Sequence, residues 1–487
     1  MMPSLAWLPD EAREGFVMGN VATPRTPHKN EFDVVAEPFA QNKGLRFAEV
    51  LDAQSIERVF RDQNALFGQN DIFSTQIVLW AFLAQTLRDG KGAACAAAVA
   101  DIATYMLQTG RRPPSGDTGD YCRARAKLSL SALRRLVVAS ARQLERDADP
   151  RWLWKGLHAK LVDGFTFTMP DTPENQEAFP QLESQTPGVG LPIARACTVV
   201  SLATGGVCDL AIGPYEGKET GETALLRPML RGFGANDVVV FDRHYCSFMM
   251  LATLSLNGVH VCARLHQARP IDLERGRQLG PCDHLITWTR PVRPRWMSEA
   301  QYAQIPEMLT LRELQYDVIV PGRKVKPITV VTTLTNSQTY TKQDIATLYG
   351  QRWNVELDIE AIKQTLGLDH VRCKTPGMVR RELWVTLLAY NLVRKVMATS
   401  AATHGKQPRC LGFALACQTI LSSWMLLSTG SCTNTRAMHT TTLSYIAANE
   451  VANRPGRLEP RVLKRRRHRY PLMKRPRDQL RAELRKT

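Results

Sequence analysis

Two apolar segments, each with an acidic residue, decide the fold class of this chain. The first is Lys160-Leu-Val-Asp-Gly-Phe-Thr-Phe167, which holds Asp163 inside a strand pattern, and the second is Asp237-Val-Val-Val-Phe-Asp242, which ends in Asp242. A carboxylate among strand apolar residues is costly to bury unless it is paired or bound to a metal. Because neighbouring strands can bring such carboxylates side by side, the two segments predict a sheet that carries an acidic site.

The sequence around these segments alternates between strand and helix patterns. Further strands are predicted at 194–203, 206–213 and 259–265, and helices at 219–231 and 247–256. Gly205-Gly206 separates two of the strands and predicts a hairpin. The order strand, strand, strand, helix, strand, helix, strand predicts a mixed α/β sheet with helices on its faces.

The remaining sequence adds helical regions at both ends and an insertion in the middle. Apolar spacing near 3.6 residues predicts helices at 54–67, 72–89, 93–108 and 118–147. Thr341-Lys-Gln-Asp344 resembles a capping box and predicts a helix from there to about Leu366. The expected organisation is a poorly ordered arm (1–45), a helical domain (46–150), the first part of the α/β core (151–265), a mostly β insertion (266–340), a long helix with the rest of the core (341–400), a helical C-terminal region (401–453) and a basic tail (454–487).

The composition favours a polyanionic partner and excludes several other classes. The chain has 487 residues and a formal net charge of +17, an excess typical of proteins that bind nucleic acid. No apolar stretch is long enough to span a bilayer, and the N-terminus lacks a signal-peptide pattern. The eleven cysteines include no C-x2-C pair, which argues against a disulfide framework or a zinc ribbon. We expect a cytoplasmic protein without a membrane partner.

The positive charge is concentrated at the C-terminal end. Residues 454–487 contain 14 Lys or Arg and three acids, which gives +11 of the total +17. The densest run is Lys464-Arg465-Arg466-Arg467. This run predicts an arm that grips phosphates without reading sequence, the alternative being a tail that only aids solubility.

A third acid comes from the helix that starts near Thr341. Tyr349, Arg352, Glu356 and Lys363 fall on one side of this helix at 100° per residue. A phenol, a guanidinium, a carboxylate and an ammonium on one face are poorly suited to a core and well suited to holding a phosphate beside a metal. Glu360, and less strongly Asp358, compete with Glu356 as the candidate acid.

These residues resemble the DDE transposases of the bacterial insertion-sequence-four type. The spacing Tyr349-x2-Arg352-x3-Glu356-x6-Lys363 matches the signature of that family. Asp163-Gly-Phe-Thr and Val240-Phe-Asp242-Arg243 are similar to its first and second catalytic blocks. The resemblance implies an α/β, ribonuclease-H-like catalytic core with a mostly β insertion, whose catalytic helix lies in 341–400. It also implies that the helical N-terminal domain (46–150) binds DNA, that the helical C-terminal region (401–453) serves dimerisation, and that the protein is bacterial and nucleoid-associated.

The resemblance also implies roles for individual residues. Asp163, Asp242 and Glu356 are expected to be catalytic and to bind two Mg²⁺ or Mn²⁺ ions, while Tyr349, Arg352 and Lys363 contact the transposon end. In some relatives an aromatic residue of the insertion holds a flipped base during hairpin formation; Trp288 and Trp296 are the candidates here, the alternative being that either belongs to a core. The other predicted DNA contacts are Arg243, Arg123 and Arg125, together with Lys464, Arg465, Arg466 and Arg467.

The expected function is therefore transposition. A homodimer would bind double-stranded DNA at the terminal repeats, hydrolyse phosphodiesters and join the 3′ ends to target DNA. The alternatives are an inactive DNA-binding descendant or repressor, a metal-dependent nuclease or resolvase on the same fold, and a basic packing protein. The three intact acids and the insertion favour the active transposase.

Overall fold

The computed structural model describes most of the chain. The described residues are 53–68, 71–108, 110–318, 326–428, 435–451 and 472–485. The predicted arm at 1–45 and the run Lys464-Arg465-Arg466-Arg467 lie outside these residues.

One nine-stranded sheet forms the centre of the structure. Its strands are β1 His158–Thr168, β2 Ile193–Ser201, β3 Val207–Pro214, β4 Asp237–Phe241, β5 His260–Arg264, β6 Arg277–Gly280, β7 Asp283–Thr289, β8 Met308–Val318 and β9 Lys326–Thr332. They are arranged in the order β3-β2-β1-β4-β5-β9-β8-β7-β6. The β1, β4 and β5 strands are parallel, β2 is antiparallel to β1, and the edge strand β3 is antiparallel to β2. This mixed α/β arrangement is the predicted ribonuclease-H-like core.

The sheet is covered by helices on both faces. In chain order the helices are α1 Ala53–Arg61, α2 Thr75–Leu87, α3 Cys95–Gln108, α4 Gly119–Lys127, α5 Leu130–Arg146, α6 Pro173–Ala178, α7 Glu222–Leu226, α8 Phe248–Leu256, α9 Glu299–Gln304, α10 Lys342–Gly350, α11 Asn354–Glu360, α12 Pro376–Thr403, α13 Phe413–Ser428, α14 Thr435–Ala448 and α15 Arg477–Leu484. Alternate residues of β1 enter two separate cores. Leu161 and Phe165 pack with the N-terminal helices, α11 and α12, whereas Val162 packs with α8.

The predicted insertion forms the far half of the same sheet. Strands β6 to β9 are antiparallel neighbours, and β9 pairs with β5 of the core. The sequence analysis expected a mostly β region here without resolving β6, β7 and most of β8. The mostly β character of this region is nevertheless confirmed.

Two predicted helices are interrupted in the structure. The expected helix at 118–147 divides into α4 and α5, because the Ser129 side chain accepts the N–H of Ala132 and caps a new helix. The expected helix from Thr341 continues through a 3₁₀ turn at Gln351–Trp353 and ends in a π turn at Ala361–Thr365. Its capping box between Thr341 and Asp344 is confirmed.

Membrane-spanning segments are not found in the described part of the chain, where every helix is too short or too polar to cross a bilayer.

Candidate active site

The two strand acids lie side by side at one end of the parallel strands. Leu161 of β1 pairs with Val240 of β4, and the same register continued by two residues sets Asp163 beside Asp242. Asp163 accepts the N–H of Gly164, and Asp242 accepts the N–H of His244 at 2.8 Å. The parallel pairing of β1 and β4 therefore fixes the relative position of both carboxylates.

Glu356 joins this pair through Arg352. The guanidinium of Arg352, in the 3₁₀ turn between α10 and α11, donates to Asp163 Oδ2 at 3.2 Å and to Glu356 Oε1 at 2.6 Å. The side chains of Asp163 and Glu356 are 19% and 34% exposed. One half-buried cation thus bridges the first and third predicted acids.

The environment of Asp163 disfavours its charge. Burial raises the pKa of the Asp163 carboxyl to about 6, although the N–H of Gly164 and the guanidinium of Arg352 lower this pKa. The nearby carboxylates of Glu222 and Asp242 raise the pKa further. Perturbed titration of this kind is typical of functional sites, and it indicates that negative charge is crowded here.

The other two residues of the helical signature contact the same region. Lys363 donates to the carbonyl oxygen of Thr166 in β1 at 3.0 Å and forms an ion pair with Asp369 at 2.8 Å. Tyr349 is buried at the end of α10, and burial raises the pKa of its phenol to about 12. The structure thus brings Arg352, Glu356 and Lys363 onto β1, with Tyr349 in the adjoining core.

The competing acids of this helix occupy other surroundings. Asp358 is buried and binds Arg394 at 2.6 Å and Arg409 at 2.9 Å, and it also accepts the hydroxyl of Tyr390. Glu360 is exposed to solvent. Among the helical acids named in the sequence analysis, only Glu356 contacts the Asp163 region.

The two tryptophans of the insertion differ in accessibility. Trp288 is 5% exposed, and its indole N–H donates to Glu313 at 3.0 Å. Trp296 is 39% exposed, and the Arg227 guanidinium stacks over its ring at 3.9 Å. Trp288 is consequently part of a core, while Trp296 offers an accessible ring.

The predicted basic contacts are also in contrasting positions. Arg125 is 8% exposed, hydrogen-bonds Gln85 and stacks on Phe82, so its side chain does not reach the surface. Its expected contact with DNA requires a correction on this ground, since a buried guanidinium held by these partners has no access to a phosphate. Arg123 is exposed beside Asp120, and Arg243 donates to Gln267 at 2.9 Å.

Glu222 is a neighbour of the site that the sequence analysis missed. It stands at the start of α7, and its side chain packs directly on the backbone of Gly164, where any Cβ would meet it at 2.1 Å. Tyr245 donates its hydroxyl to Glu222 at 3.1 Å. The only signal in the sequence was Gly164 itself, since glycine in a strand often marks close approach of another group.

The donor set suits a divalent cation of the hard type. Carboxylate oxygens without His or Cys are the ligands that Mg²⁺ and Mn²⁺ favour. Among the described residues, however, no group of three or more acidic, His or Cys side chains is already arranged around a metal position. The crowded charge at Asp163 fits a cation, and in this arrangement the guanidinium of Arg352 lies between two of the three carboxylates.

Comparisons with known proteins show similarity to transposases. The family model described as "Transposase DDE domain" matches residues 155–392, a range that contains all three acids. The chain is 30% identical over 354 residues to the transposase InsG for insertion sequence element IS4 of Escherichia coli (strain K12), covering 72% of this chain and 76% of that protein. It is 26% identical over 153 residues to the putative transposase InsZ of the same strain, covering 28% of this chain and 50% of that protein. A solved piggyBac transposase synaptic complex with hairpin DNA aligns with 87% of this chain and 85% of its own at 9% identity and a TM-score of 0.41. The chain belongs to the DDE transposases of the IS4 type.

Proposed function

We propose that this protein cuts DNA at the ends of an insertion sequence and joins the freed 3′ ends to target DNA. Asp163, Asp242 and Glu356 are the catalytic residues in this proposal and hold two Mg²⁺ or Mn²⁺ ions. The observation that carries the proposal is the convergence of two sheet acids and one helix acid. Asp163 and Asp242 share a strand register, and Arg352 contacts both Asp163 and Glu356.

The reaction consists of two phosphoryl displacements. Water attacks the phosphorus, the bond to the 3′ oxygen breaks, and a 3′-hydroxyl and a 5′-phosphate remain. The 3′-hydroxyl then attacks a target phosphodiester, a new 3′ ester forms, and the target's own 3′ oxygen leaves. When bound, a pair of divalent ions lowers the pKa of the attacking hydroxyl and neutralises charge on the leaving oxygen.

The chain's own basic residues bind and orient the phosphate backbone. Arg352 has the planar fork needed for bidentate phosphate binding, and it lies within reach of both Asp163 and Glu356. Lys363 adds a point charge beside the end of β1, and Tyr349, at the end of α10, is the third residue of the signature assigned to the DNA backbone. We assign Arg123, Arg243 and Trp296 as further contacts because their side chains are accessible, whereas the buried Arg125 and Trp288 are omitted.

Two element ends must be held together for transposition, and we therefore propose that the active form is a homodimer. The helical region at 401–453 is the candidate dimerisation surface. Size-exclusion chromatography with light scattering, with and without terminal-repeat DNA, tests this part of the proposal.

The decisive experiment is cleavage of a duplex that carries the element's terminal repeat, with Mg²⁺ or Mn²⁺. Glu356→Gln should reduce cutting by more than about 100-fold, a loss at least as large as that from removing a metal's outer partners. Glu360→Gln is the matched control, one turn further along the same helix and exposed, and it should cut normally. Both variants should bind the repeat.

Three results would change the assignment. Equal cutting by wild type and Glu356→Gln would reject Glu356 as a catalytic residue. Specific binding of the repeat by wild type, without cutting under either metal, would favour an inactive DNA-binding descendant. Cutting without preference for the repeat would favour a general nuclease.

A further inference from the structure

A basic groove runs along the edge of the sheet near the start of β1. It has a volume of about 810 Å³ and lies between helix α5, the edge strand β3 and the 3₁₀ turn Arg227–Gly232. Its lining contains six basic residues and two acidic ones. The basic residues are Arg134, Arg135, Arg142, Arg146, Lys160 and Arg231.

Both acids of the groove are already neutralised by basic neighbours within it. Asp209 forms a two-pronged ion pair with Arg134, with the shorter contact at 2.7 Å. Glu145 pairs with the buried ammonium of Lys160. Four arginines remain, and within the described part of the chain none of them forms an ion pair with a carboxylate. They are Arg135, Arg142, Arg146 and Arg231, all exposed.

Three of these arginines form a stripe on α5. The separations are seven residues from Arg135 to Arg142 and four from Arg142 to Arg146, so the three share one helix face. The stripe spans about 16 Å at 1.5 Å per residue. Since duplex DNA rises about 3.4 Å per base pair along each strand, this length matches roughly five base pairs. Arg231 faces the stripe from the opposite wall of the groove.

The groove and the acidic site lie on opposite faces of β1. Lys160 and Asp163 are three residues apart on this strand, and side chains an odd number of residues apart point to opposite faces. Asp163 meets Arg352 near α11, whereas Lys160 meets Glu145 of α5 and Cys208 of β3. Contacts between DNA and the stripe therefore do not by themselves place the DNA on the three carboxylates.

We propose that this groove binds the backbone of duplex DNA at a distance from the phosphodiester that is cut. The proposal rests on the proposed transposase function and adds a second contact region for the same DNA or for the target. A rigid duplex suits the groove because three cations lie in a row on one face of a single helix. The unpaired arginines give affinity without base recognition, so binding here is independent of sequence.

The test compares binding of a long duplex and of a short duplex that carries only the repeat boundary. The variant replaces Arg142, Arg146 and Arg231 by alanine in the full chain. The matched control replaces Arg61, Arg151 and Arg293 by alanine, which removes the same amount of charge. These arginines are already paired with Glu57, Asp149 and Glu299. Affinity is measured by fluorescence anisotropy across a salt series.

The groove variant should bind the long duplex more weakly than wild type, and its salt slope should fall by about 2.7, or 0.9 for each lost phosphate contact. Binding of the short duplex should be unchanged. The control triple should keep the wild-type slope, and replacing the groove arginines by lysine should restore it. Melting temperatures of all variants are compared to show that each is folded.

An unchanged slope in the folded groove variant would overturn the proposal. So would an equal loss in the control triple, which would indicate a general effect of net charge. A loss of affinity for single-stranded RNA with none for duplex DNA would also overturn it. Because cleavage of the repeat by Glu356→Gln is measured separately, failure of the groove and failure of the transposase assignment give different results.

Discussion

Neutralising Asp163 should stabilise the metal-free protein at neutral pH. The rise of the Asp163 pKa from 3.8 to about 6 means that burial makes the ionised form costly in the folded state. At 1.36 kcal/mol per pKa unit this cost is about 3 kcal/mol. The favourable contact with Arg352 is already included in the shift, and the small exposed fraction of the side chain limits solvent screening.

The direction of the stability change depends on the pH at which the folded and the unfolded chain each lose the Asp163 proton. Below pH 4 the carboxyl is protonated in both folded and unfolded chains, so Asp163→Asn changes little. As pH rises from about 4 to 6, the unfolded chain loses this proton first, and wild type loses stability relative to the variant. Above that window the variant should keep its full advantage of about 3 kcal/mol.

Thermal unfolding in EDTA at pH 4.5 and pH 7.5 measures this difference. With about 2.1 cal/mol/K of unfolding entropy per residue, cooperative unfolding of all 487 residues predicts a rise of about 3 °C, and unfolding of the matched domain alone about twice that. Asp120→Asn, which removes an exposed partner of Arg123, should shift the melting temperature by less than about 1 °C.

Two outcomes would refute this reasoning. Asp163→Asn could prove less stable than wild type at pH 7.5, which would mean that the pairing with Arg352 outweighs burial. Alternatively, its advantage could be the same at both pH values, which would mean that charge is not the cause. The same variant should lose cleavage of the terminal repeat, because function requires the destabilising charge.

Three further predictions concern packing around the site. Gly164→Ala should lower the melting temperature because its Cβ would lie 2.1 Å from Glu222, and Glu222→Ala in the same background should restore it; no recovery would show that the strain lies elsewhere. Trp288→Ala should cost about 3–5 kcal/mol of stability by urea unfolding, whereas Trp296→Ala should leave stability unchanged and weaken terminal-repeat cleavage, and equal stability losses would contradict their different burial. Asp358→Ala should cost about 3–5 kcal/mol in the same assay, because it leaves the buried Arg394 and the half-buried Arg409 without their carboxylate; a near-neutral change would instead indicate a functional acid.

The centre of the sheet was predictable because its signals are local. The apolar runs of β1 and β4 each carry an acid. The succession of strands along the chain up to β5 follows from alternating patterns and turn residues. Glu356 was predicted from its spacing to Tyr349, Arg352 and Lys363. These features depend on residues that are close in sequence, which is why the pattern was sufficient.

The parts that were missed depend on residues distant in sequence. Arg125 sits on a helix with a basic appearance, yet Gln85 and Phe82 of another helix enclose it. Glu222 contacts Gly164 only because α7 crosses the sheet at that point. Strand β7 lacks a strong apolar alternation because it buries two polar side chains against β8: Asp283 forms an ion pair with Arg312, and His284 lies within hydrogen-bonding distance of Glu313.

Side chains of β1 alternate between the two faces of the sheet, and this alternation determines which residues enter the acidic site and which enter the groove. Asp163 points to the face where α11 brings Glu356, while Lys160 and Gly164 point to the face of the groove and of Glu222. A shift of one residue in the pairing with β4 would move Asp163 to the other face and away from Arg352. The buried pairing of Lys160 with Glu145 opposes such a slip, because it would place an ammonium in the apolar core around Leu161. The ion pair between Lys160 and Glu145 in the groove therefore also secures the register on which the position of the Asp163 carboxylate depends.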